Sequence, residues 1–264
     1  MALDRWKKKE DKKQPEKAKI RVYVATPAYD GKVDTDYAVS LAESCMLATA
    51  MGIHVTAAVM GNGAFIDLAR NNFVHMFLEE TDCTHLFFID ADLKWEPRAF
   101  VGLLTAGKPI CAGVYRRRQE PEDYPVRYIE EEVDGEVGVT PEDGWIKCDR
   151  VPTGFLCIER KVIEEMAAES IYLKQGGFPP VPRLFYTPIL PVQDEMHKNG
   201  KQLHTFMGED YAFAEDYCRK YKTHIPVWPN ISFVHGGYPC NWQDYIMRKV
   251  AEIEEMEKKE AANG

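Results

Sequence analysis

The feature that most constrains this fold is a regular alternation of short apolar runs with helix-forming segments before residue 116. The runs lie at 20–26, 53–60, 84–89 and 109–115. Between the first two, Tyr37, Leu41 and Cys45 recur at helical spacing after Asp34, which is a good N-cap residue. Such an alternation predicts strands buried in a parallel sheet with helices on both faces. We therefore expect an α/β fold with a mostly parallel central sheet flanked by helices.

The composition is that of an ordinary soluble protein, because 45% of the 264 residues are hydrophobic and 28% are charged. The formal net charge of -9 argues against a surface that wraps nucleic acid. No apolar stretch reaches the roughly 18 residues that a membrane helix needs, and the charged N-terminus is unlike a signal peptide. The seven scattered cysteines never form a Cys-x-x-Cys pair, which predicts reduced core residues. We expect a cytoplasmic protein without a membrane span.

The chain divides into a tail, one domain and a terminal helix. Residues 1–18 are rich in lysine and are predicted to be disordered. Residues 19–240 are predicted to form a single domain, whose strand–helix half covers 19–116 and whose second half covers 117–240. Residues 241–264 have the pattern of a charged amphipathic helix. In the second half, the Pro- and Gly-rich residues 174–191 lack periodicity, which makes them a candidate substrate loop.

The segment "HLFFIDADLKW", residues 85–95, runs from a buried strand directly into Asp90 and Asp92. Carboxylates at i and i+2 of an extended chain point to the same side. Mg²⁺ and Mn²⁺ are bound by one or two carboxylates together with the phosphates of a substrate. The pair therefore suggests a divalent cation and a diphosphate ligand. The alternative is structural: Asp92 caps the helix that begins at Pro97, and Asp90 pairs with an arginine.

Four segments together resemble the nucleotide-sugar glycosyltransferases of the GT-A type. "THLFFIDADLKWEP" is similar to their Asp-x-Asp segment, and "VPTGFLCIERKVIEEM" to the glycine-containing strand and helix that follow their acceptor region. "GEDYAFAEDYCRKY" resembles their catalytic acid/base helix, and "PNISFVHGG" their C-terminal metal-binding histidine. The segments occur in the family's order over residues 20–240. The resemblance implies a Rossmann-like GT-A fold with a nucleotide-binding half, 19–116, and a smaller acceptor half, 117–240.

The resemblance also implies roles for residues on the nucleotide side. Thr26, Pro27 and Tyr29 would flank the base and the ribose, and Arg70 would lie beside the nucleotide. Asp90 would lie near the ribose or the sugar and approach the metal. Arg70 has an alternative interpretation as an ordinary surface residue of a helix.

On the catalytic side, the resemblance implies that Asp92 and His235 bind Mn²⁺ or Mg²⁺. Asp210 would be the general base of an inverting enzyme, and Glu209 would hold hydroxyl groups of the acceptor or donor. The three consecutive arginines Arg116, Arg117 and Arg118 would add positive charge near the diphosphate, with Arg116 as the candidate site residue. His235 has an alternative role as the end of a strand, and the two acidic residues as partners of a helix dipole.

The expected function is metal-assisted transfer of a sugar, from a nucleotide-diphosphate sugar that is expected to be UDP-linked, to an acceptor hydroxyl. The acceptor is left open among a glycan, a lipid, a protein, a small molecule and a hydroxymethylated base in DNA. One alternative is a nucleotidyltransferase, although "ATPAYDGKV" after the first strand lacks the Gly-rich, basic phosphate loop of that class. Another alternative is a non-catalytic module that binds nucleotide sugars.

Overall fold

The computed structural model describes residues 19–61, 65–133, 136–138, 141–177 and 179–263. The predicted tail, residues 1–18, lies outside these described residues. In chain order the elements are β1 (Arg21–Ala28), α1 (Thr35–Ala50), β2 (His54–Gly61), α2 (Ile66–Glu80), β3 (His85–Ile89), β4 (Leu93–Trp95), α3 (Pro97–Thr105), β5 (Ile110–Gly113), β6 (Arg127–Tyr128), β7 (Glu131–Val133), β8 (Glu136–Gly138), β9 (Ile146–Arg150), β10 (Phe155–Glu159), α4 (Arg160–Glu169), β11 (Tyr172–Leu173), β12 (Val181–Pro182), β13 (Ile189–Met196), β14 (Gln202–Phe206), α5 (Glu209–Tyr221), β15 (Ile225–Trp228), β16 (Ser232–His235), β17 (Tyr238–Asn241) and α6 (Trp242–Asn263).

In the described part of the chain, eight strands form a central sheet with the order β2-β1-β3-β10-β5-β15-β9-β6. β1 pairs in parallel with β2 and β3, and β15 pairs in parallel with β5. β10 runs antiparallel between β3 and β5, and β9 runs antiparallel to β15. The α/β class is confirmed. The expectation of a mostly parallel sheet is wrong, because the sheet is mixed.

The direction of β10 could not be predicted from its composition. Phe155, Leu156, Cys157 and Ile158 are all buried, since the strand lies in the middle of the sheet with a neighbour on each side. An apolar run indicates that both faces of a strand are buried. Because a buried antiparallel strand has the same pattern as a parallel one, the run does not indicate the direction of the strand. β9, which comes from the segment "GWIKCDRV", joins the same sheet beside β15.

Adjacent residues of β3 attach helices to opposite faces of the sheet, because successive strand side chains alternate. The ring of Phe87 contacts that of Phe100 on α3, with centroids 4.9 Å apart. The ring of Phe88 contacts Phe73 on α2 at 6.4 Å. α1 contacts α3, and α2 contacts α4. The strand–helix half therefore has the layers that its sequence predicts.

Asn71 fixes the Pro-rich segment that was predicted to be a loop. Its buried side-chain oxygen accepts hydrogen bonds from the backbone N–H groups of Leu184 and Phe185, each at 2.9 Å, and its Nδ2 donates to the Phe185 carbonyl at 2.7 Å. Leu184 and Phe185 are buried as a result. This part of 174–191 is thus anchored to α2. Phe178, in the same segment, lies outside the described residues.

The hairpin of β13 and β14 follows this anchored segment and presents large apolar side chains to solvent. Ile189, Met196 and Phe206 are all exposed. The candidate substrate loop is therefore fixed around Leu184 and Phe185, where Asn71 holds it. Its last residues, from Ile189, begin the projecting hairpin.

The C-terminal helix α6 begins at the buried Trp242, close to its predicted start. Within the described residues, no helix is both long enough and apolar enough to cross a membrane. All seven cysteines lie in this part of the chain and are free; five of them are buried, and Cys45 and Cys218 are half-buried.

We predict that Asn71→Ala lowers the free energy of unfolding by about 2–4 kcal/mol, because it leaves two buried N–H groups without acceptors. Urea unfolding measures the change. Asn72→Ala is the matched control, since half-buried Asn72 accepts a single side-chain bond from Gln175. Equal losses in the two variants would contradict the anchoring role of Asn71.

Candidate functional site

The candidate site lies beyond the carboxyl ends of β3 and β5, where ligands bind in open α/β sheets. Asp90 follows β3 directly, and Arg116 lies three residues after the end of β5. His235 ends β16, and the antiparallel pairing of β16 with β4 sets it opposite Leu93, beside Asp92. Glu209 and Asp210 begin α5. The fold brings together residues from segments far apart in the sequence.

Asp90 and Asp92 face different partners. The chain turns between them, and the Leu93 N–H donates to the Asp90 carbonyl at 3.3 Å. The expectation that both carboxylates point to the same side assumed an extended chain, and the turn removes that alternation. Glu96, not Asp92, is the N-cap residue of α3, without a side-chain capping bond.

The Asp90 carboxylate is held by two groups. Tyr115 donates its hydroxyl to Asp90 Oδ2 at 2.7 Å, and Arg70 Nη2 lies 3.4 Å from Oδ1. A Cβ on Gly154 would lie 2.1 Å from Asp90 Oδ2 and 2.0 Å from the Tyr115 hydroxyl, so only glycine fits there. Burial, followed by the Asp90 charge, raises the pKa of Tyr115 well above its ordinary value, which keeps it a hydrogen-bond donor.

Arg70 joins the end of β3 to the start of α5. Its guanidinium, only 6% exposed, pairs with Asp90 and with Glu209. Burial alone would lower the pKa of Arg70, but the charges of Asp90 and Glu209 raise it. The interpretation of Arg70 as an ordinary surface residue is therefore wrong. Its Nε is buried without a hydrogen-bond partner.

Asp92 and His235 form a second group of the site. Asp92 Oδ2 lies 2.7 Å from Arg118 Nη1 and 3.5 Å from His235 Nε2. Burial alone would raise the pKa of Asp92, but the hydrogen bond and charge of His235 and the charge of Arg118 lower it. Burial alone would lower the pKa of His235, but its contacts with Asp92 and the Arg116 carbonyl raise it. The two side chains are thus electrostatically coupled.

The ring of His235 is oriented by the backbone. Its Nδ1 lies 2.7 Å from the Arg116 carbonyl oxygen, which can only accept, so Nδ1 carries the proton. In the neutral ring, the lone pair of Nε2 therefore faces Asp92. Two ligands bound to one divalent cation at about 2.1 Å lie roughly 3 to 3.5 Å apart, which is the separation of these two atoms.

Asp92 and His235 could hold a divalent cation if a bound molecule supplied its remaining ligands. Mg²⁺-type sites commonly use one or two protein ligands plus substrate phosphates. Across the described residues, no group of three or more His, Cys, Asp or Glu side chains could hold a metal ion unaided. Asp90, which the sequence assigned to the metal as well as to the nucleotide, directs its carboxylate to Tyr115 and Arg70.

Asp210 has the electrostatic character of a general base. Burial, partly offset by the charge of Arg70 and reinforced by that of Glu209, raises its pKa to about 6. Its Oδ1 accepts the N–H of Tyr211 at 2.8 Å. A Cβ on Gly208 would lie 2.5 Å from the same oxygen, so the preceding glycine makes room for the carboxylate.

Asp210 lines an open cleft of about 480 Å³. Its lining includes Leu190 and Phe206 from the hairpin, together with Arg117 and Arg150. The cleft combines apolar surface, two guanidinium groups and a carboxylate that can accept a proton. Ligand-binding clefts commonly combine apolar surface with a few charged groups in this way.

The residues predicted to flank the nucleotide base have varied surroundings. Thr26 is buried in β1 and its hydroxyl pairs with that of Tyr37, while Pro27 is buried in the same strand. Tyr29 is 79% exposed just beyond the strand. Of these, Tyr29 is the side chain open to a ligand.

The backbone carbonyl of Arg116 contacts His235 in the site, whereas the Arg116 side chain contacts the loop that follows it. Its guanidinium donates to the Gln119 carbonyl and to Glu120, at 2.6 and 2.9 Å, and lies over the Tyr238 ring. Arg118, two residues later, is the arginine that reaches Asp92. Sequence reasoning noted the three arginines but selected the first.

Tyr115 and Gly208 were not identified as site residues from the sequence, and Arg118 was noted there as one of three consecutive arginines. Tyr115 belongs to an apolar run, where it has the pattern of a core aromatic. The sequence did contain one indication for Gly208, because this glycine directly precedes Glu209 and Asp210 at the start of α5.

Comparison with known proteins identifies no family for this chain: no protein-family model and no curated protein matches it. Among solved structures, one similar to it is described as "Crystal Structure of A197 from STIV", with 14% identity, a TM-score of 0.45 and coverage of 82% of this chain and 85% of that chain. Another is the inositol-1-phosphate CTP transferase from T. maritima, with 11% identity, a TM-score of 0.39 and coverage of 82% and 89%. Likeness at this level does not extend to function.

We predict that Asp210→Asn stabilises the protein at high pH. The native state keeps the Asp210 proton up to pH about 6, whereas a free carboxyl releases it near 3.8, so ionisation above pH 6 costs native-state free energy. Asparagine avoids this cost and can still accept the Tyr211 N–H. The free energy of unfolding at pH 8 should rise by about 1–3 kcal/mol, and the gain should vanish near pH 4.

Urea unfolding of both proteins across pH 4–8 measures this difference. Asp36→Asn is the control, because Asp36 lies in the first turn of α1 but is exposed. It removes the same helix-terminal charge without relieving burial, so it should show no gain at pH 8. An Asp210→Asn variant no more stable than the wild type at pH 8 would contradict the burial of an ionised carboxylate.

Proposed function

We propose that this protein is a glycosyltransferase that moves a sugar from a nucleotide-diphosphate sugar to an acceptor hydroxyl, assisted by Mn²⁺ or Mg²⁺. The observation that carries the proposal is the arrangement on the two sides of Arg70. On one side Asp90 leads to the Asp92–His235 pair, and on the other Glu209 leads to Asp210 at the open cleft. Tyr115, which donates to Asp90, contacts the His235 ring with centroids 4.7 Å apart, so the Asp92–His235 pair and Asp210 lie on the two sides of one cluster.

Asp92 and His235 would hold the cation, together with oxygens of the donor's diphosphate. Bound there, the cation would stabilise the negative charge that develops on the departing diphosphate. The Arg116 carbonyl keeps the His235 ring oriented for this role, in the way that backbone acceptors orient metal-binding histidines.

Asp210 would accept the proton of the acceptor hydroxyl as that oxygen attacks the sugar. A general base works best when its pKa is near the operating pH, and a pKa of about 6 leaves Asp210 ionised yet basic at neutral pH. Its location at the cleft lets an acceptor bound there present a hydroxyl to it. Direct attack by that hydroxyl would invert the anomeric centre.

Arg70, Asp90 and Glu209 would position the reacting groups. The guanidinium fixes both carboxylates, and Glu209 can use its remaining oxygen to hold a hydroxyl of the donor or the acceptor. Asp90, oriented by Tyr115, would face the ribose or the sugar.

The proposal predicts that nucleoside diphosphate binding requires a divalent cation. A thermal-shift panel of nucleotide sugars, with Mn²⁺ or with excess chelator, should single out a donor, because a ligand at 100 times its Kd adds about 2.7 kcal/mol of stability. A donor that binds equally well in chelator would contradict the role of Asp92 and His235.

Product analysis with that donor separates the candidate classes. A glycosyltransferase releases a nucleoside diphosphate when an acceptor is present, and a nucleotidyltransferase releases pyrophosphate from a nucleoside triphosphate and a sugar phosphate. A binding module releases neither. Pyrophosphate release would replace the proposed function with nucleotidyl transfer.

Asp210→Asn should lower the rate of transfer by about 10²- to 10⁴-fold, as expected for the loss of a general base. Donor affinity should be unchanged, because Asp92 and His235 lie on the other side of Arg70. In the wild type, kcat/KM should fall as pH drops below about 6, where Asp210 becomes protonated. Steady-state kinetics and donor titration test both statements, and near-normal transfer would remove Asp210 from the mechanism.

A further inference from the structure

We infer that Arg118 is an exchangeable cation of the donor site: it pairs with Asp92 in this structure and moves to the donor's diphosphate when a divalent cation takes its place. This inference rests on the proposed function, and it assigns Arg118 as a diphosphate-binding residue.

The first observation is that one oxygen serves two partners. Arg118 Nη1 and His235 Nε2 lie 2.7 and 3.5 Å from the same atom, Asp92 Oδ2. The Arg118 side chain is 58% exposed, whereas that of Asp92 is 24% exposed. The guanidinium therefore approaches the carboxylate from the solvent side, where a diphosphate and its cation would also enter.

The second observation is the surface on which the Arg118 side chain lies. A Cβ on Gly236 would be 2.4 Å from Arg118 Cδ, so the aliphatic part of the Arg118 side chain lies directly against the glycine backbone. Gly236 has a φ of +53°, and its N–H donates to the Asp92 carbonyl at 3.1 Å. Gly236 therefore leaves room for the Arg118 side chain. Its N–H is also hydrogen-bonded to Asp92, the residue with which Arg118 pairs.

The neighbouring arginines form their ion pairs with carboxylates of their own loop, and Arg117 also donates to the Tyr211 hydroxyl of α5 at 3.1 Å. Arg116 pairs with Glu120 at 2.9 Å, and Arg117 pairs with Asp123 at 2.9 Å. Arg118 differs because its partner is Asp92, a residue of the site. Of the three, Arg118 is the arginine whose partner a bound cation would take away.

Electrostatics determines the direction of the exchange. A guanidinium and a divalent cation repel each other and cannot both contact Asp92 Oδ2. The diphosphate supplies new acceptors, and the planar fork of arginine matches phosphate oxygens. Arg118 should therefore weaken the binding of a cation alone and strengthen the binding of cation and diphosphate together, which is positive coupling between the two ligands.

Calorimetry on the full chain tests this inference with the wild type, Arg118→Gln and Arg118→Lys. MnCl₂ is titrated alone, and uridine diphosphate or guanosine diphosphate is then titrated at saturating Mn²⁺. Arg118→Gln should bind Mn²⁺ alone up to about 5-fold more tightly, because a half-exposed competing ion pair is lost. It should bind the diphosphate about 10- to 100-fold more weakly, because a charge-assisted contact is lost.

Arg118→Lys should bind the diphosphate with intermediate affinity, since it keeps the charge but not the fork, and it serves as the test should Arg118→Gln fail to fold. Arg248→Gln is the matched control. Arg248 also makes a 2.7 Å ion pair, with Glu122, and is 56% exposed. It should change neither affinity.

Opposite shifts in Arg118→Gln, tighter for Mn²⁺ alone and weaker for the diphosphate, are the expected result. If both affinities fall, Arg118 only orients Asp92 and the inference is overturned. If neither changes while the wild type binds both ligands, the inference fails and the proposed function stands. If the wild type binds neither diphosphate with Mn²⁺, the proposed function fails as well.

Discussion

The site depends on one buried guanidinium. Arg70 on α2 pairs with Asp90 at the end of β3 and with Glu209 at the start of α5, so it joins three elements through a single charge. A buried cation without partners is costly, and so are two carboxylates that have lost their cation. Each member of the cluster therefore requires the others. Burial raises the pKa of the neighbouring Asp210, while the charge of Arg70 lowers it and the charges of Glu209 and Asp90 raise it.

Different surroundings let the protein hold acidic groups with different proposed roles close together. The pKa of Asp92 is lowered by contacts with His235 and Arg118, so it stays ionised and suits a cation. The pKa of Asp210 is raised, first by burial, so it suits proton transfer. Environments that separate the pKa values of nearby carboxylates are typical of acid–base sites. The proposed division into a donor side and an acceptor side follows from this difference.

Much of the first half of the fold was predictable from the sequence, because helical and strand periodicity report which faces are buried. β1, α1, β3 and α3 appear where those patterns placed them. The direction of β10 was not predictable, since burial on both faces looks alike in parallel and antiparallel strands. The role of Asn71 was also hidden, because its partners lie more than a hundred residues away.

The site was only partly predictable for the same reason. Asp90, Asp92, Asp210 and His235 stand out as polar residues at the ends of apolar elements. Which arginine faces which carboxylate depends on tertiary contacts, and so Arg118 rather than Arg116 reaches Asp92. Because of the turn after β3, the side chains of Asp90 and Asp92 face different partners. The spacing of apolar residues in the sequence does not indicate this turn.

The most direct test of the account is a crystal structure with Mn²⁺ and a nucleoside diphosphate, with anomalous diffraction measured near the manganese edge. The account predicts one anomalous peak about 2 Å from both Asp92 Oδ2 and His235 Nε2 and in contact with the diphosphate. A diphosphate bound elsewhere, or a peak that contacts neither residue, would contradict it.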